Sequence, residues 1–177
     1  MLVLVVNAGS SSLKYQLIDM SNESVIAKGI AERIGSEGLV LKHETAGKTK
    51  VVQESPMKDH QDAMRLVFNS LTNPQTGAVK DVSDIAAIGH RVVHGGESFS
   101  ASVIITPEVM KAIDTLSELA PLHNPPNLMG IEAAMKMLPD APQVAVFDTA
   151  FHQTIPRYAY TYALPYSFYT DNGIRRY

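Results

Sequence analysis

Five consecutive apolar residues, Leu2 to Val6, run into Asn7-Ala8-Gly9-Ser10 and then into Leu13, Tyr15 and Leu17 alternating with Lys14, Gln16 and Ile18. The run is too short for a helix but suits a buried strand, and the alternation predicts a second strand returning beside it. The intervening turn is rich in small residues whose N–H groups and hydroxyls are free to converge on an anion, with Lys14 adding charge just beyond it. Phosphate is the natural candidate. The same Asn, Gly and Ser residues fill hairpin turns for backbone reasons alone, so this turn by itself also reads as a plain hairpin. No Gly-Lys-Ser/Thr opens a helix here, which excludes a Walker-type loop.

Beyond the hairpin the chain stays mostly antiparallel β up to about residue 55. Val25 to Ile30 reads as a third strand, and Leu39-Val40-Leu41 and Lys50-Val51-Val52 flank the polar tip Glu44 to Lys48 as a further hairpin. The period then changes. Ala63, Met64, Val67, Phe68 and Leu71 share a helix face, with Asp59 as N-cap and Asn73-Pro74 as the stop. Ile85 to Val93 returns to strand. Thr106-Pro107-Glu108 starts a helix whose buried stripe is Val109, Ile113, Leu116 and Ala120. Asn124-Pro125-Pro126 opens another, ended by Pro139, and Val144 to Phe147 is a short buried strand running into Asp148. Antiparallel strands followed by helix-linked ones predict an α/β fold, a mixed sheet covered by helices. The tyrosine-rich tail from Thr149 reads as loop with short strands. Its last residues, Asp171 to Tyr177, read as structured sequence rather than a polar linker, so more chain is expected beyond them.

In such sheets ligands gather at the carboxyl ends of the strands, where Asn7, Arg91 to Val93 and Asp148 all fall. In Gly89-His90-Arg91-Val92-Val93-His94-Gly95-Gly96, strand geometry puts Arg91 and Val93 on one face and His90, Val92 and His94 on the other. A guanidinium fork beside a small apolar wall suits a short fatty-acid carboxylate, although an Arg in a structural ion pair is the commoner case. His90 and His94 have the spacing of a helical metal pair, but their Val and Gly neighbours favour strand and turn. Ser10, His94 and Asp148 could be drawn as a hydrolytic triad, but the Gly-x-Ser-x-Gly elbow is missing and that reading is set aside. A carboxylate at the end of a buried strand needs a partner, and Mg²⁺ accompanying a nucleotide is one. Leu122 could complete an apolar pocket and His123 could donate to an anion.

Composition narrows the partners. Among 177 residues, charged ones make up 19%, the net charge is −3 and no basic cluster occurs, so nucleic acid is not expected. No apolar run approaches a membrane span and Cys is absent, as expected for a soluble cytoplasmic domain.

Asn7-Ala8-Gly9-Ser10-Ser11-Ser12-Leu13-Lys14, His90 to Gly96, Leu122-His123-Asn124-Pro125-Pro126-Asn127-Leu128 and Val146 to His152 together closely resemble the acetate kinases. The resemblance spans residues 1–177 and matches the N-terminal domain of that family. It implies the actin-like (ribonuclease H-like) fold and phosphoryl transfer between ATP and acetate, giving ADP and acetyl phosphate with Mg²⁺ as cofactor. Propionate or another short-chain carboxylate is the alternative substrate, and an isolated domain that binds without turnover the alternative role. Carried onto this chain, it implies Asn7 near the metal and Ser10, Ser12 and Lys14 on nucleotide phosphates. It further implies Arg91 on substrate and transferring charge, Val93 and Leu122 around the methyl group with His123 beside them, and Asp148 as the catalytic carboxylate. A second domain, further catalytic residues beyond position 177 and a homodimer when full-length are implied as well.

Overall fold

The structure is a computed structural model that describes residues 1–38, 40–56 and 58–177. Eight strands form one mixed sheet. β1 (Leu2–Ala8), β2 (Ser12–Asp19), β3 (Ser24–Glu32), β4 (Val40–Thr45) and β5 (Val51–Glu54) follow one another antiparallel. On the other side of β1 lie β6 (Ile85–Val92), parallel to β1, and β8 (Gln143–Phe147), parallel to β6, with the two-residue β7 (Val103–Ile104) antiparallel to β8 at the edge. The mixed sheet expected from sequence is therefore present, and β7 is an addition too short to leave a pattern. Leu39, read as the start of a strand, lies outside the described residues.

Three longer helices cover the sheet on a single face. α1 (His60–Leu71) is capped by Asp59, whose carboxylate accepts from the N–H groups of Gln61 and Asp62. α2 (Pro107–Thr115) is capped by Thr106, and α3 (Asn124–Met137) enters on two prolines. Register shows why one face is dry. Leu4, Val6 and Ala8 of β1 line up with Leu17, Tyr15 and Leu13 of β2, and Leu4 and Val6 with Ile88 and His90 of β6; all are buried. Val92 and Phe147 extend the same face across β8. Two adjoining cores result, one beneath α1 and α3, the other beneath α2 and α3. The alternate residues, among them Val5, Lys14, Gln16, Lys28, Arg91 and Val146, face outward and are exposed.

Two expectations are corrected. The second helix ends at Thr115, so Leu116 caps it within a 3₁₀ turn and Ala120 lies beyond, although buried. Thr115 and Ser117 hydroxyls bond back to the Lys111 and Ile113 carbonyls, competition that tightens and stops a helix. The tail contains no strand. It forms a 3₁₀ turn (Asp148–His152), α4 (Arg157–Tyr160) and α5 (Ser167–Asn172), the last closed by Gly173 in the left-handed region at φ 66°. Two of its tyrosines, Tyr160 and Tyr177, flank Arg175, whose guanidinium lies 3.7 Å from the Tyr160 ring centre and is ion-paired to Glu97. No helix among the described residues is long and apolar enough to cross a membrane.

Candidate active site

The ends of the three central strands converge on the uncovered face. Arg91, the penultimate residue of β6, donates from Nε and Nη2 to the Asp148 carboxylate just past β8, at 3.0 and 2.6 Å. Its Nη1 reaches the amide oxygen of Asn7 near the end of β1, at 3.3 Å. Hydrogen bonding to Asp148 raises the affinity of the guanidinium for its proton, so Arg91 is a fixed cation. Asp148 was expected to be a buried carboxylate in need of a partner. It has the partner, but its side chain is 41% exposed because the strand ends before it. A solvated ion pair of this kind is worth only about 0–1 kcal/mol, so a ligand can exchange into it.

Lys14 sits directly opposite Asn7 in the β1–β2 ladder and forms no salt bridge among the described residues. It lines a groove of about 490 Å³ that runs outward over β2 to β4, bordered by Asn7, Gln16, Lys28, Ile30 and Lys42. Ser10 is exposed at the tip of the turn, and Ser12 opens β2.

Val93 begins the loop after β6, and this loop is held residue by residue. The Val93 N–H donates to Asn127 Oδ1, the His94 N–H to Asn124 Oδ1 and the Gly95 N–H to Thr149 Oγ1, at 3.0, 3.0 and 2.9 Å. The Gly96 carbonyl accepts from Gln153 Nε2 at 2.8 Å. Gly96 needs the left-handed region (φ 58°), and a Cβ on Gly95 would lie 2.8 Å from the Phe147 ring. Leu122 and His123 stand in the turn before α3, both exposed, Leu122 at 74%. The structure thus brings Asn7, Arg91 and Asp148 into contact with Lys14 alongside, and leaves Leu122 and His123 facing solvent.

The two histidines that flank Arg91 have other tasks. His90 is buried with Nε2 2.7 Å from Gln143 Oε1, and burial pushes it down to about 4. The Gln143 amide nitrogen is turned towards the Leu138 and Ala141 carbonyls, so the His90 nitrogen is the donor. His94 Nδ1 accepts from the Gly96 N–H, and its ring meets Tyr177 edge-on at 4.4 Å.

A leading antiparallel hairpin, a parallel centre and polar groups gathered at the parallel strand ends are the features of the actin-like fold class. The chain belongs to the acetokinase family, whose model matches residues 2–177. It is 59% identical over 178 residues to the acetate kinase of Clostridioides difficile (strain 630), spanning all of this chain and 45% of that protein. The crystal structure of Porphyromonas gingivalis acetate kinase superposes with a TM-score of 0.95 at 48% identity, over 99% of this chain and 44% of that one. A propionate kinase from Francisella tularensis subsp. tularensis SCHU S4 gives 0.91 at 39%, over 99% and 44%. The chain spans a little under half the length of the curated relatives it matches.

Proposed function

We propose that this chain is the N-terminal half of an acetate kinase and supplies the carboxylate side of its site. The observation that carries this is the Arg91–Asp148–Asn7 cluster on the uncovered sheet face of an acetokinase-family chain. Acetate is ionised at neutral pH and needs no general base. One of its oxygens attacks the γ-phosphorus of ATP, forming a P–O bond. The bond to the β–γ bridging oxygen breaks, and its electron pair leaves on ADP. No proton changes hands, so the chain's work is alignment and charge neutralisation.

Arg91 takes the largest share of that work, since its fork can hold the acetate carboxylate while facing the transferring group. Asp148 orients Arg91 rather than accepting a proton. Lys14, with Ser10 and Ser12, meets the nucleotide phosphates. Val93 walls the methyl group, with Leu122 and His123 closing over it once ligand or a further domain covers them. The Asn7 amide oxygen and the Asp148 carboxylate are hard oxygen donors at the strand ends, which fits a hydrated Mg²⁺. Mg²⁺ bound there would neutralise phosphate charge. The whole protein is read as a cytoplasmic homodimer, the dimer being checked by light scattering.

The test is hydroxylamine trapping of acetyl phosphate from ATP, Mg²⁺ and acetate. It is run on this chain alone and on a completed enzyme, in which the chain replaces the matching segment of the C. difficile kinase. Turnover by the completed enzyme that collapses in Arg91→Ala supports the reading. A folded, inactive completed enzyme refutes it, and faster turnover with propionate than with acetate moves the substrate to the larger acid. Acetate is preferred because the acetate kinase structure is the nearer of the two, at 48% against 39% identity.

A further inference from the structure

β1 and β6 part company before they end. Their parallel ladder stops at the pair Val6–His90, although β1 runs on to Ala8 and β6 to Val92. The neighbouring β6–β8 ladder continues to Val92–Phe147, so the separation is confined to the β1 side. Splayed strands leave backbone groups that must find other partners. Into this gap reaches the side chain of Asn127, from the first turn of α3 and 4% exposed. Its Nδ2 donates to the Ala8 carbonyl at 2.6 Å and its Oδ1 accepts from the Val93 N–H at 3.0 Å. One carboxamide thus stands in for the missing rung. Gly130, three residues on, lies so close that a Cβ there would be 2.6 Å from the Ala8 methyl. The next carbonyl of the turn, that of Gly9, accepts from Nε2 of the buried His60 at 2.7 Å.

We propose that Asn127, with His60 as a second point of attachment, is a positioning residue that fixes the phosphate turn against the carboxylate-binding segment; this rests on the acetate kinase reading above. Ala8 adjoins Asn7 and the serine turn, and Val93 adjoins Arg91 by one residue. A single amide therefore sets the spacing between the group that meets the phosphates and the groups that hold the acceptor. The turn's Ala8 and Gly9 carbonyls are drawn inward, while Ser10 and Ser11 stay exposed. In-line transfer tolerates little error, and a misplacement of about 1 Å costs on the order of 10²-fold in rate. Asn124, one turn earlier, is the internal comparison. It is as deeply buried and bonds the His94 N–H, the His94 carbonyl and the Ile113 carbonyl, none of them in β1.

The completed enzyme is assayed first, so that inactivity of the parent refutes the kinase reading and leaves the positioning claim to be judged only on an active parent. Asn127→Ala is expected to lower kcat per folded molecule on the order of 10²-fold. Asn124→Ala is expected to lower the melting temperature with kcat retained. Asn127→Asp keeps the acceptor for Val93 but needs a proton to donate to Ala8. Its kcat should therefore recover as pH falls, on a limb absent from the parent. The ionisable groups of the surrounding elements (His60, Arg91, His94 and Asp148) and of its own helix (His123, Glu132 and Lys136) are common to both proteins. Unchanged kcat in Asn127→Ala, an equal loss in Asn124→Ala, or a flat difference profile for Asn127→Asp each overturns the proposal. Should neither Asn127 variant fold, His60→Ala decides: a lowered kcat supports the clamp and an unchanged one overturns it.

Discussion

Lowering the pH from 7 to 5 should weaken this fold by about 2 kcal/mol through His90 alone. The ring is 2% exposed and its one hydrogen bond, to Gln143, only partly offsets the cost of burying a charge. Folded, it accepts a proton only near 4; unfolded, near its ordinary 6.5. Between those values the unfolded chain binds more protons, so stability is fully present above 6.5 and is lost as pH falls towards 4. The interval of about 2.5 pH units is worth about 3.4 kcal/mol in total, most of it spent by pH 5. The comparison is His90→Gln, which can still donate to Gln143 but does not titrate. Urea unfolding of the chain and the variant, followed by far-ultraviolet circular dichroism at pH 7, 6 and 5, isolates the residue. Burial also lowers His43 and His94, and those contributions cancel in the difference. The variant should be less stable at pH 7 and flatter with pH. Parallel stability profiles would refute the argument that burial holds His90 neutral.

Arg91→Ala in the completed enzyme should cost about 2.7–4 kcal/mol of transition-state stabilisation, read as lost hydroxamate. The same change should barely move the melting temperature, because the Arg91–Asp148 pair is about half exposed. Val93→Ala should shift the propionate-to-acetate ratio of kcat/KM towards propionate by about 1–3 kcal/mol, and no shift would remove Val93 from the methyl wall. Gly130→Ala should destabilise the chain by about 1–3 kcal/mol in urea unfolding, since the new methyl meets that of Ala8.

Where local chemistry and tertiary packing agree, this sequence was readable. The alternation through Leu13, Tyr15 and Leu17, the Asp59 and Thr106 caps and the Pro125-Pro126 helix entry all specify their elements within a few residues. Arg91 and Asp148 were legible as strand-end groups, but not as each other's partners, because 57 residues separate them. The Asn-Pro-Pro-Asn motif reads as a helix start and conceals its second purpose. Asn124 and Asn127, three apart, share a face with Leu128 and Ile131 and so carry polar groups into an apolar stripe. Carboxamides on a buried stripe were the available signal that backbone ends needed partners there. Tyrosine has good strand propensity, which points the tail towards strands, whereas here Pro156 and Pro165 precede helical turns and the Tyr160 and Tyr177 rings stack on Arg175 instead.

The openness of one sheet face bears on how a half-site of this kind can work. Arg91 must be held in one orientation, yet remain available to a small carboxylate. A buried partner would orient it well but would be hard to displace, because separating a desolvated pair leaves a charge uncompensated. Asp148, at 41% exposure, accepts from the Nε and Nη2 donors of the fork while water screens the attraction, so on the proposed function acetate would exchange into the pair at little cost. The same screening limits what Arg91 can contribute in the open chain. Covering this face would exclude water, lower the local dielectric and strengthen every contact made by Arg91 and Lys14. Weak acetate binding by the isolated chain and full transition-state stabilisation in the completed enzyme are then two consequences of one geometry. Tight acetate binding by the chain alone, seen by calorimetry, would break that link.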